Sequence, residues 1–136
     1  MGPALLDTDT LSEVMKGRDP HVREKARQYL ATYGRFTFSI ITRYEILRGL
    51  KVKSASRQLA AFAERCQQSY LLQMTDDVIV RAADIYADLH RQGHLISDAD
   101  ILVAATALVH HVTLVTENVA HLSRISGLTI ESWRIG

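Results

Sequence analysis

A chain of 136 residues and 15.2 kDa, 47% hydrophobic, has the size of one domain (residues 1–136) and enough apolar mass to bury a core. Its single cysteine excludes an intrachain disulfide and no apolar run is long enough to span a bilayer, so a cytoplasmic protein with no membrane partner is expected. Formal net charge is only +1, yet residues 1–57 hold eleven Lys and Arg against six acids and the remainder five against nine, a division that suits phosphates on one side and cations on the other, or plain solvated helix faces.

In chain order, residues 4–7 form a short apolar run ending in Asp7 and read as a first strand. Thr10 and Glu13 have capping-box spacing for a short helix that stops near Gly17. A second helix follows Pro20, with Val22, Ala26, Tyr29, Leu30 and Tyr33 on one face, and stops at Gly34. Residues 36–40 alternate as a strand should, and helices are expected over about 42–50 and 56–68. Residues 70–73 are a weaker strand candidate. Residues 76–92 read as an amphipathic helix with Val80, Ala83, Ala87 and His90 near its buried stripe, and Gly93 as its stop. Residues 97–110 are apolar almost all round, as in a helix buried on most sides. Strands are expected again at 112–115 and 129–131. Strands separated by helices imply an α/β fold, a parallel sheet of four to five strands covered on both faces.

Four acids distant in sequence fall on one edge of such a sheet. In a parallel sheet a crossover helix begins at the edge where the preceding strand ends. Asp7 ends the first strand, Glu45 lies one turn into the helix after the second, and Asp98 and Asp100 open the buried helix before the fourth. Thr116, Glu117 and Asn118 leave the fourth strand at the same edge. Carboxylates brought together resist joint ionisation unless a cation neutralises them, and an all-oxygen set without thiolate or organised histidines suits Mg²⁺ or Mn²⁺ rather than zinc. Each acid also has a simpler use. Asp7 or Asp9 caps the first helix, Ser97 with Asp100 forms a capping box, and Glu45 is spaced for an ion pair with Arg48.

The segments LLDTDTLS (5–12), ITRYEILRGL (41–50), ISDADILVAATAL (96–108) and LVTENVAHLSRISGLTIESW (114–133) resemble, in this order, PIN-domain ribonucleases, specifically the VapC-type toxins of bacterial type II toxin–antitoxin pairs. The resemblance implies a three-layer α/β/α sandwich and Mg²⁺- or Mn²⁺-dependent cleavage of RNA by activated water. It implies Asp7, Glu45 and Asp100 as catalytic metal ligands, with Asp98 as a further acid found in many members. The fourth position of the pattern, often Asp, is Asn118 here, a departure that bears on the second metal. Thr8 and Thr116 stand beside the ligands as auxiliaries, and Arg43 and Arg48 are candidate RNA contacts. A VapB-like antitoxin and a homodimer are the implied partners.

Three other readings stay open at this stage. A receiver-like signalling domain also gathers acids at this edge, but needs a Lys after its last strand, and none follows Lys53. A non-catalytic RNA- or protein-binding module on the same fold is compatible with Asn118. So is a PIN-fold nuclease of RNA processing.

Overall fold

The computed structural model describes residues 2–134. The first strand, β1 (Ala4–Leu6), gives way at once to α1 (Thr8–Lys16). The cap of α1 is Asp7, whose carboxylate accepts from the Thr10 amide at 2.8 Å, so the cap stands three residues before the expected Thr10. Glycine ends it: Gly17 has φ +64°, a left-handed conformation that a Cβ disfavours. Asp19 caps α2 (Pro20–Tyr33), which buries Val22, Ala26 and Tyr29 and stops at Gly34, also left-handed.

β2 (Thr37–Ser39) is shorter than residues 36–40, because the Ser39 hydroxyl accepts from the Ile41 amide and turns the chain directly into α3 (Ile40–Val52). Then come α4 (Ser56–Gln67) and β3 (Tyr70–Leu72). In α5 (Asp76–Gln92) the buried stripe is Val78, Ala82, Ile85 and Leu89; Val80, Ala83 and His90 are exposed. Both sets repeat at helical spacing. The one turned inward carries the larger aliphatic side chains, and burying those removes more apolar area from water than burying alanines and a histidine. α6 (Asp98–Val109) is buried through most of its length, and β4 (Thr113–Val115), α7 (Val119–Leu122) and β5 (Ile130–Glu131) complete the chain. The single turn of α7 is an addition to the elements expected from sequence.

The five strands pair in parallel in the order β3-β2-β1-β4-β5. Alternation within the strands divides the core into two layers. Leu5 and Leu114 face α5 and α6, packing with Val78, Ile85, Leu89, Ile101 and Val103. Ala4, Leu6, Phe38 and Val115 face α1 to α4, packing with Leu11, Tyr29, Ile46 and Phe62. The three-layer α/β/α sandwich expected from the sequence is therefore the fold.

The chain builds outward from β1 through β2 to β3, then crosses back to β4 on the other side of β1. The carboxyl ends of β1 and β4 thus flank the point where strand order reverses, and this is where open α/β sheets bind ligands. Asp7 occupies it, its amide bonded to the Val115 carbonyl at 3.0 Å.

Candidate active site

A small cleft of about 80 Å³ opens at this point, lined by Asp7, Thr8, Asp9, Glu45, Asp100 and Val103. Three of the four acids singled out from the sequence meet there. Asp7 directly follows β1, the second turn of α3 delivers Glu45, the first turn of α6 delivers Asp100, and α1 adds Asp9. Asp98 is exposed and is not part of the lining. Two residues apart on a helix are 200° apart around it, so Asp98 and Asp100 look in different directions. Ser97 caps α6 as its spacing indicates, accepting from the Asp100 amide at 3.2 Å.

Each carboxylate is held by a neighbour. The Thr8 hydroxyl donates to Glu45 Oε1 at 2.5 Å and lies 3.1 Å from the Thr42 hydroxyl. The Asn118 side-chain amide donates to Asp100 Oδ2 at 3.2 Å. Asp7, 9% exposed, is held by the Thr10 amide and by the hydroxyl of the fully buried Thr116. Thr116 also accepts from the Asn118 amide nitrogen at 3.0 Å, fixing the turn after β4. Burial pushes the Asp7 carboxyl above the usual range; bonds from Thr116 and Thr10 oppose the shift without cancelling it, and Asp9 adds to it by like charge.

Glu117 points elsewhere, accepting from the Ser132 hydroxyl and the Arg134 amide. Arg48 places Nη2 3.6 Å from Glu45 Oε2, the ion pair that its spacing allows. Arg43 turns instead toward Cys66, whose half-buried thiol is pushed up by burial and eased down by the guanidinium.

Thr42 and Asp9 are the site residues that sequence reasoning missed. Thr42 and Glu45 have capping-box spacing, but α3 begins earlier, at Ile40, so Thr42 sits inside the helix with its hydroxyl wholly buried beside Thr8. A threonine at that spacing within an apolar helix was the available signal. Asp9 reads as a helix cap until Asp7 is seen to hold that position.

The donor set is hard oxygen throughout, which fits a small divalent cation. Among the described residues no three His, Cys, Asp or Glu side chains already converge on one ion position. The acids line the walls and bond to their neighbours. The burial of Asp7 is the observation in favour of a cation, because its charge is poorly compensated by the protein alone.

The model of the PIN domain matches residues 4–128. The chain belongs to the PIN-domain family. This PIN domain is 31% identical over 121 residues to Ribonuclease VapC1 of Methanocaldococcus jannaschii, covering 89% of this chain and 79% of the relative. It is 28% identical over 130 residues to the tRNA(fMet)-specific endonuclease VapC of Salmonella typhimurium, covering 95% and 96%. The crystal structure of DNA-bound VapBC from Salmonella typhimurium superimposes with a TM-score of 0.86 at 28% identity, over 98% of this chain and 99% of that one. The reading as a VapC-type endoribonuclease, made from four short motifs, is borne out, and the receiver-like alternative falls.

Proposed function

We propose that residues 1–136 form one PIN domain that hydrolyses structured RNA in the cytoplasm with Mg²⁺ or Mn²⁺ held by Asp7, Glu45 and Asp100. The observation that carries this is the single cleft at the sheet's switch point shared by these three carboxylates. Their residue types suit phosphodiester hydrolysis without a protein nucleophile. A divalent ion lowers the pKa of water it touches and offsets charge gathering on the phosphate.

The chain's own groups orient the acids. Thr8 fixes one oxygen of Glu45, the Thr10 amide and Thr116 fix Asp7, and Asn118 fixes Asp100. Asn118 is therefore assigned to orienting Asp100 through its side-chain N–H, and its neutral side-chain oxygen brings none of the negative charge that an aspartate there would offer a second ion. Asp98, exposed, is left as a first-turn acid stabilised by the helix dipole of α6.

A VapB-like antitoxin is the proposed protein partner, because the Salmonella typhimurium structure is a VapBC complex covering nearly the whole of this chain. A homodimer is retained from the sequence reading. The fold alone is equally compatible with an RNA-processing nuclease or a non-catalytic module, and the acids favour catalysis over the latter.

The test is cleavage of unfractionated bacterial tRNA. EDTA, Asp7→Asn and Asp100→Asn should each lower the rate at least about a thousandfold, with added Mg²⁺ reversing only the first. Calorimetric titration with Mn²⁺ should count one ion per RNA-free chain. Full activity in either variant ends the metal assignment, and two tight ions end the role given to Asn118.

A further inference from the structure

Tyr44 offers a large aromatic ring to solvent, 58% exposed, one residue before Glu45 on α3. Core packing does not account for it, because α3 turns Thr42 and Ile46 inward. The Arg48 guanidinium lies over the ring, 5.1 Å from its centroid, and the same guanidinium approaches Glu45 Oε2 at 3.6 Å. One cation thus links an exposed aromatic surface to the carboxylate on the cleft wall. Tyr44 and Arg48 are four apart on the helix, so this contact is local and prearranged.

The other exposed tyrosines stand differently. Tyr70, with Arg35 at 5.4 Å, lies where β3 begins, the edge of the sheet opposite the cleft, and Tyr86 stacks on His90 along α5. The surroundings of Tyr44 are basic. Beyond Arg48, α3 continues into Lys51 and its cap Lys53, both exposed, while the acids remain in the cleft.

We propose that Tyr44, backed by Arg48, is a stacking platform for an unpaired nucleobase next to the phosphodiester held in the Asp7–Glu45–Asp100 cleft. This rests on the ribonuclease reading. Unpaired bases are gripped on aromatic rings and guanidinium planes, with little dependence on base identity, and a ring supported on one face leaves the other for a base. Tyr44 then positions the substrate and takes no part in bond breaking.

The experiment compares the wild type with Tyr44→Ala and Tyr44→Phe in two assays on unfractionated bacterial tRNA. Steady-state cleavage in Mg²⁺ should show KM raised about tenfold in Tyr44→Ala, with kcat and melting temperature held, and near-normal values in Tyr44→Phe. Filter binding in EDTA should show the same loss of affinity. Equal affinities for wild type and Tyr44→Ala overturn the platform, and so does equal loss in both variants, which would mark a hydroxyl contact. A loss confined to kcat overturns it as well. Unchanged tRNA binding with a shift in sedimentation would reassign the ring to a protein interface. A wild type that binds tRNA and leaves it uncut counts against the nuclease reading, while the ratio of the two affinities still decides the platform.

Discussion

The Asp7 carboxyl caps α1 and also faces the cleft, from a position where burial raises its pKa from 3.8. Between that ordinary value and the raised one, the folded chain holds a proton that the unfolded chain has lost. Stability contributed by the group is present in full below the ordinary value and declines as pH rises through the raised one. At neutral pH without a cation, the ionised Asp7 therefore opposes folding. Asparagine keeps the cap, as its side-chain oxygen also accepts from the Thr10 amide, and removes the charge. Asp7→Asn should consequently be inactive yet more resistant to urea than the wild type at pH 7 in EDTA, with the gap closing as pH falls below the usual aspartate range. Magnesium should raise the wild-type midpoint and leave the variant's unchanged. A variant less stable by the same amount at every pH would mean that Asp7 is held for its cap alone.

At the scale of elements, glycines and caps were the legible part. Gly17, Gly34 and Gly93 end three helices in left-handed conformations, as their positions after apolar periodic runs indicate. The inward face of α5 was not legible, because two sets of apolar residues share its helical period and tertiary packing chose between them. The pairing of Tyr29 with β1 is of the same kind. Its hydroxyl accepts from the Ala4 amide at 3.0 Å and lies 3.2 Å from the Ala4 carbonyl, while its ring packs against Phe36 and Trp133. Sequence places Tyr29 on the buried face of α2 but cannot show that α2 thereby satisfies the backbone where β1 begins. Tyr29→Phe keeps the ring and leaves two buried backbone groups without that hydroxyl. It should cost about 1 to 3 kcal/mol in equilibrium unfolding, without moving KM for RNA. A change within error would show that these groups find another partner.

For the whole molecule, the charge division seen in the sequence becomes a division of layers. Residues 1–57 supply α1 to α3 on one face of the sheet, and α5 and α6 on the other belong to the acidic remainder. The placing of the candidate site was legible because a parallel sheet gathers strand ends and helix starts at one edge; the hydroxyl of Thr42 was not, since its role depends on a side-chain contact across elements. Along α3 the basic residues Arg48, Lys51 and Lys53 follow one another toward its carboxyl end. Lys53 lies roughly 12 Å from Glu45 at the helical rise, a distance of about two nucleotides, with Arg48 and Lys51 between. Neither lysine pairs with an acid among the described residues, whereas Arg91 on α5 is bound to Asp88. If Arg48, Lys51 and Lys53 each neutralise one phosphate, the logarithm of tRNA affinity should fall with the logarithm of salt at a slope of roughly −2. Replacing Lys51 and Lys53 together by glutamine should flatten that slope by about 1.4, while Arg91→Gln leaves it alone. The slope is read from filter binding between 50 and 200 mM KCl, roughly the range over which counterion release dominates. Equal flattening by both sets of changes would mean that the molecule attracts RNA through its summed charge, with no track along α3.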